Sequence, residues 1–286
     1  MSEISDCRTA SQHFSQDDLY RWPESFYLHG LHGEKLTRDE IDQLADHPEM
    51  DAIQIYGLRQ DTFDYFLSRY GKQFKRIYFF KDNLVQDWSG LADLPDLECL
   101  HWFWNQRITS LWDMSNNHSL RILHISDFTR LHDLSGIEKA RSLRVLFVGD
   151  MIWSSMRVTS LMPLTGMKLE CLEWSGKLIE DQDCSFLPTL KQLKVFQCPL
   201  NYFTTEQCAW IAANCQIEDC RVSSAYEIWD THGEKIAAIT GKRKPALPLT
   251  PENEARIRKY SEKFDRMKQQ YAGVPYRDAF PELFCQ

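Results

Sequence analysis

Three residues have the types and spacing for chemistry: Cys99, His101 and, 23 positions beyond, His124. On an extended strand residues two apart point to one side, so Cys99 and His101 share a face. If the segment around His124 lies alongside as a parallel strand, about 4.8 Å away, the two imidazoles are neighbours. One thiol and two imidazoles are zinc-type donors, and Cys99 beside His101 is the start of a thiol nucleophile with its base. Neither site is completed in the sequence. There is no HExxH or paired CxxC to fill a metal shell, and no third group to orient the histidine. A pair of stacked surface histidines explains the same spacing, so no catalytic residue, metal or cofactor is expected.

Other signatures are thinner. GxSxG, GxxxxGK[ST] and a GxGxxG between strand and helix are all missing. Glu173 and Lys194 read as a cross-strand ion pair, and Lys242-Arg243-Lys244 before Pro245 as a solvated loop. Lysine and arginine number 33 against 41 aspartates and glutamates, a net charge of −8, which gives no field to gather nucleic acid or anionic lipid. No run approaches the roughly 18 apolar residues of a membrane span. The opening MSEISDCRTASQHF lacks the basic and apolar regions of a secretion signal. A cytoplasmic protein with neither membrane nor nucleic-acid partner is expected. Nine cysteines without a CxxC pair read as reduced and mostly buried, with Cys171, Cys184, Cys198, Cys208, Cys215 and Cys220 filling the core.

The elements that must position these residues are set by a repeat. An apolar residue, two others, a second apolar residue, one other and a third apolar residue recur along the chain. The copies are Met50/Ile53/Ile55, Phe74/Ile77/Phe79, Leu97/Leu100/Trp102, Leu120/Leu123/Ile125, Leu143/Leu146/Val148, Leu169/Leu172/Trp174, Leu190/Leu193/Val195 and Ile217/Cys220/Val222, with Pro23/Phe26/Leu28 a weaker first copy. They begin 21 to 27 residues apart, with three successive intervals of 23. A period of that length marks stacked supersecondary units, none of which buries its apolar side alone.

These copies resemble the leucine-rich repeat family, and Leu190-Lys-Gln-Leu193-Lys-Val195-Phe-Gln-Cys198-Pro-Leu200 matches its LxxLxLxxCxL pattern. In that family the Cys or Asn position turns inward and bonds backbone where the chain leaves the strand. Asp82 and Asn105 stand there, whereas Phe128 and Met151 depart, which implies a broken polar ladder. Trp88-Ser-Gly-Leu91 and Leu134-Ser-Gly-Ile137, 46 residues apart, look like the short connections of internalin-type proteins. The resemblance implies an α/β fold: a leucine-rich repeat solenoid of eight or nine copies with a parallel concave sheet.

Helix signals sit in the longer connections. Thr37-Arg-Asp-Glu40 and Thr204-Thr-Glu-Gln207 read as capping boxes. Tyr226 to Ile236 alternates around Gly233 as a hairpin. From Pro251 onward Ile257, Tyr260, Phe264, Met267 and Tyr271 fall at helical spacing. The expected organisation is an N-terminal cap segment over 1–22 carrying Phe14, Leu19, Tyr20 and Trp22, the solenoid over 23–223, and a hairpin plus helix cap over 224–286.

If the second and third apolar residues of each copy face inward, the residue between them and the one after face the concave side. That side reads Tyr27 and His29, Gln54 and Tyr56, Tyr78 and Phe80, His101 and Phe103, His124 and Ser126, Phe147 and Gly149, Glu173 and Ser175, Lys194 and Phe196, Arg221 and Ser223. Clustered aromatic rings flanked by charge are what interfaces use. The expected function is non-enzymatic recognition of a protein or peptide by an adaptor or effector of bacterial type. The contact residues are Tyr56, Tyr78, Phe80, His101, Phe103, His124, Phe147, Glu173, Lys194, Phe196 and Arg221. The alternatives are a toxin-neutralising immunity protein and a metal-dependent enzyme using Cys99, His101 and His124. A further possibility is that the chain's own N-terminal segment or C-terminal helix covers the rings.

Overall fold

The computed structural model describes residues 35–284 and the backbone of one strand before them, Phe26–Leu28. Expectations for residues 1–22, for Pro23 and His29, and for the side chains of the first copy lie outside the described residues. The strands are β1 (Phe26–Leu28), β2 (Ala52–Ile55), β3 (Arg76–Phe80), β4 (Cys99–Asn105), β5 (Ile122–Phe128), β6 (Val145–Gly149), β7 (Arg157–Val158), β8 (Cys171–Trp174), β9 (Leu178–Ile179), β10 (Val195–Gln197) and β11 (Asp219–Cys220). Among the described residues, one nine-stranded sheet runs β1-β2-β3-β4-β5-β6-β8-β10-β11, in sequence order. Every neighbouring pair is parallel. β7 and β9 pair in a small parallel ribbon of their own.

The alternation of each copy decides which side of this sheet is core. Ile53 and Ile55, Ile77 and Phe79, Leu100 and Trp102, Leu123 and Ile125, Leu146 and Val148, and Leu172 and Trp174 all point inward and are buried. Parallel neighbours need a connection that crosses back behind the sheet, and these crossings supply the other wall of the core. α1 (Arg38–Asp42), α2 (Gln60–Arg69) and α3 (Thr205–Asn214) serve the longer copies. Single 3₁₀ turns at Ser89–Asp93 and Ile137–Lys139 serve the shorter ones and bury Leu91 and Ile137 from the two Ser-Gly landmarks. Both predicted capping boxes form: Thr37 Oγ1 accepts from Glu40 N, Thr204 Oγ1 from Gln207 N, and each N3 side chain accepts the cap amide in return. The apolar repeat gives no separate mark for α2. Its Phe63 and Phe66 meet Phe79 and Trp102 with ring centres 5.3–6.1 Å apart.

A backbone device recurs where the chain leaves a strand. Gly57, Lys81, Trp104 and Asp127 all have positive φ, between 57° and 89°. Side-chain-bearing residues adopt that region at a steric cost, and here it turns the next residue inward: Leu58, Asp82, Asn105 and Phe128 are all buried. Asn105 donates from Nδ2 to the carbonyls of Asp82 and Val85, while its Oδ1 accepts from the amides of Arg107 and Ile108 at 2.8 Å. Asp82 Oδ1 accepts from Leu58 N at 2.7 Å. Phe128 has nothing to offer such a ladder, and the ladder stops there as its residue type implies.

At the far end β12 (Tyr226–Thr231), β13 (Glu234–Ile239) and β14 (Ala246–Pro248) form an antiparallel sheet, turning at His232-Gly233, where both residues have positive φ. β14 extends the predicted hairpin by one strand. α4 (Pro251–Tyr271) places Ile257 against Ala237, Ile239 and Leu247 of that sheet, and Phe264 and Met267 in the main core. Trp210 of α3 donates to Val274 O, and Asn214 to Tyr271 O, fixing the end of α4 against α3. The C-terminal helix therefore closes the core on the connection side of the sheet, away from the outward row of rings.

Candidate functional site

The outward side of the sheet is built from the residues between the inward ones, and its register is explicit. Tyr78 pairs with His101, His101 with His124, His124 with Phe147, and Phe147 with Glu173. Their rings stack along the sheet: Tyr78 on His101 at 4.0 Å and 10°, His101 on His124 at 4.0 Å and 12°, His124 on Phe147 at 5.1 Å and 36°. A second row lies nearer the C-terminal strand ends, with Tyr56 and Phe80 centred 5.8 Å apart and Phe80 stacked on Phe103 at 5.4 Å. Gathering the aromatic residues and the two histidines into contiguous rows is what the alternation predicts.

Two features of the predicted face are corrected. The first row is enclosed: His101 is 0 % exposed, Tyr78, His124 and Phe147 are buried as well, and so is Phe103 of the second row. Tyr56 and Phe80 are half-buried. The second correction is one of register. Val195 pairs with Cys171, Phe196 with Leu172, Gln197 with Glu173, and Phe196 again with Cys220. The copy begins at Leu193, with Phe196 and Cys198 inward, so Leu169, Leu193 and Ile217 are evenly spaced by 24 residues. Apolar residues at 187, 190, 193 and 196 permit either phase, and the phase adopted puts the Phe196 ring in the core, fully buried. Lys194 accordingly falls before the strand, exposed, with its Nζ 3.4 Å from Glu170 Oε2 rather than beside Glu173. Glu173 faces Gln197, and Arg221, half-buried, pairs with Glu227 at 3.0 Å.

The electrostatics of the enclosed row oppose charge. Burial pushes the His124 imidazole down to about 3, and burial plus the neighbouring His124 lowers His101 well below its ordinary value. Both rings are neutral near pH 7. Burial also raises the Cys99 thiol, which stays protonated and is a poor nucleophile or metal ligand in that form. Among the described residues no group of three or more His, Cys, Asp and Glu side chains is arranged to hold a metal. Cys171, on the outward side two residues before Glu173, is disulfide-bonded, so the expectation of reduced cysteines fails for this residue. Cys99, Cys184, Cys198, Cys208, Cys215 and Cys220 are free thiols.

Beside Phe103 stands a feature that the apolar repeat does not mark. Met151, Ile152 and Trp153 are 52 %, 61 % and 40 % exposed. They are held by carboxylates: Asp127 accepts from the amides of Met151, Ile152 and Trp153 at 2.8–3.2 Å, and Asp150 accepts from the amides of Ser155 and Met156 at 2.9 Å. Trp153 lies over Trp104 at 5.0 Å and parallel to Phe103 at 6.3 Å, continuing the second aromatic row. Lys81 Nζ sits 4.9 Å from the Phe80 ring centre. The signal for this finger is in the sequence: the interval from Leu143 to Leu169 is 26 rather than 23, and the extra residues include the Met-Ile-Trp run. No protein-family model matches the chain, and no curated protein matches it.

Proposed function

We propose that this chain is a leucine-rich repeat solenoid that recognises a protein or peptide and catalyses no reaction. Parallel strands in sequence order, a 23- to 26-residue interval over most copies, and the inward Asn105 at the strand exit support the solenoid reading. The contact lies at the edge of the sheet: Tyr56, Phe80 and Trp104 with the finger Met151-Ile152-Trp153. The observation that carries this reading is the finger itself. Three large apolar side chains stand in water on a backbone whose amides two carboxylates fix in place. Water gains nothing from such an arrangement, whereas a partner would meet aromatic anchors already ordered, with little entropy left to lose.

Charge defines the partner further. Asp82 and Asp127 are buried, while Arg107 and Arg130, three residues past Trp104 and Asp127 in sequence, are exposed and Lys81, over the Phe80 ring, is half-buried. A segment carrying an apolar or aromatic side chain flanked by carboxylates complements this edge. The test is affinity capture from a native lysate with the full chain and with a Phe80→Ser, Ile152→Ser, Trp153→Ser variant of unchanged melting temperature. A protein held by the first and lost by the second supports the reading. Equal capture by both removes it.

A further inference from the structure

The antiparallel sheet at the C-terminal end has two edges of unlike kind. β14 is three residues long, with Pro245 before it and Pro248 at its end, and proline has no amide to offer a further strand. β12 runs for six residues without proline or lysine, and among the described residues no strand pairs with its outer side. Unpaired edges template other strands, so proteins blunt them by short length, proline or lysine. β12 carries none of these, and its Ile228 and Trp229 are 55 % and 41 % exposed.

The register fixes where the backbone groups of β12 point. Thr231 pairs with Glu234 across the two-residue turn, and Thr240 N donates to Ala225 O at 2.9 Å. Bonded pairs alternate along an antiparallel ladder, so those facing β13 fall at Ala225, Glu227, Trp229 and Thr231. On β13 the groups between them turn the other way: Leu249 N donates to Lys235 O, and Ile239 N to Pro245 O. The amides and carbonyls of Tyr226, Ile228 and Asp230 therefore point away from β13. The side chains of Tyr226 and Ile228 share the face against which α4 packs, where Ile257 meets Ala237, Ile239 and Leu247. Beside Ile228 on this face a groove of about 440 Å³ opens, lined also by Tyr226, Ser261, Phe264 and Asp265.

We propose that a second copy of this chain pairs its β12 antiparallel with this β12, about a two-fold axis at Ile228, joining the two small sheets into one. Residues whose backbone groups point outward must face one another, and side-chain chemistry selects the axis. Centred on Glu227 or Asp230, the pairing sets a carboxylate opposite its own copy, which is destabilising. Centred on Tyr226, it runs back past the strand into Ser224, whose hydroxyl donates to the Tyr226 carbonyl. Centred on Trp229, it sets Ile228 against Asp230. Centred on Ile228, two exposed aliphatic side chains meet beside the groove, and Trp229 faces Glu227 of the second copy. Those two groups are already complementary within one strand, where Trp229 Nε1 donates to Glu227 Oε2 at 2.8 Å. Because prolines blunt β14, the sheet has one open edge, and pairing ends at two copies instead of running on as a filament. The assembly does not depend on the partner reading, since the finger belongs to the loop after β6.

Sedimentation of the full chain over a wide concentration range tests it. The native chain at high concentration has twice the chain mass of 33.7 kDa and falls to the single mass on dilution. Ile228→Lys sets two like charges opposite each other, and Ile228→Pro removes an amide that β13 does not use. Both variants sediment as single chains where the native chain is double, with circular dichroism and melting of the dilute protein unchanged. A native chain that stays single at every concentration overturns the proposal, even if an unrelated extended peptide binds the edge. So does a folded Ile228→Lys chain that still pairs. Should both variants misfold, amide hydrogen exchange of the native chain decides. Exchange at Ile228 and Asp230 that is several-fold slower in concentrated than in dilute solution supports the pairing, and equally fast exchange in both overturns it.

Discussion

The Asp127 carboxylate accepts the Trp153 amide at 2.8 Å, reaching from the end of β5 into the loop of the next copy to hold the exposed finger. The same carboxylate takes the amides of Met151 and Ile152. Asp127 can do this because its positive φ turns its own side chain along the sheet edge while Phe128 goes into the core. Replacing Asp127 with alanine leaves three amides without that acceptor. The expected loss is on the order of 1–3 kcal/mol in stability. Trp153 fluorescence anisotropy falls as the loop loosens, and capture of a partner weakens more than the change in melting temperature accounts for. An anisotropy equal to the native value would show that Asp127 does not order the finger.

The stacked histidines impose a pH dependence of definite sign. The folded-state value of His124 is about 3, and that of His101 is also depressed, so between there and their ordinary value near 6.5 the unfolded chain binds more protons. Their contribution to stability is intact above about pH 6.5 and is lost as pH falls toward 3. His124→Phe, which continues the ring of Phe147, removes part of this slope. Melting temperatures of native and variant chains at pH 7.5 and pH 4.5 check it: the variant loses less on acidification. Equal losses would place the imidazoles in water.

Much of this fold was legible because alternation is read directly by a sheet with one core side. Ile77, Leu100, Leu123 and Leu146 announce their direction, and their intervals announce that the strands neighbour one another. The β10 copy was misread because Leu187, Leu190, Leu193 and Phe196 repeat every three residues and fit two phases, and only packing selects between them. The enclosure of His101 was illegible for a different reason. Alternation says which side a residue takes, while whether that side meets water depends on a layer supplied from elsewhere. The finger was visible only as an irregular interval, and its stiffness depends on Asp127 in the previous copy.

The register of β10 is open to a simple mutational test. Phe196 fills the core, so Phe196→Ala removes a buried ring and should destabilise by about 3–5 kcal/mol. Gln197 lies on the opposite side beside Glu173, and Gln197→Ala should fall within about 0.5 kcal/mol of native. Urea unfolding measures both. The reverse order of costs would restore the phase in which Phe196 points outward.

Asp82 marks where the ladder is built from the less suitable of two residues. Its carboxyl is buried beside apolar groups, and desolvation raises its protonation point well above the ordinary carboxylate value despite the amide of Leu58 bonded to Oδ1. Its stabilising contribution is full below about pH 4, where both states are protonated, and is lost as pH rises toward the folded-state value. Asn105, one copy later, is neutral at every pH and uses both ends of its amide. Asp82→Asn should therefore match or fall slightly below the native chain near pH 4 and exceed it at pH 7.5, by on the order of 1 kcal/mol. The difference between the two chains should widen steadily with pH in denaturant titrations. A difference that does not change with pH would mean that the Asp82 carboxyl titrates normally and is not buried as a neutral group.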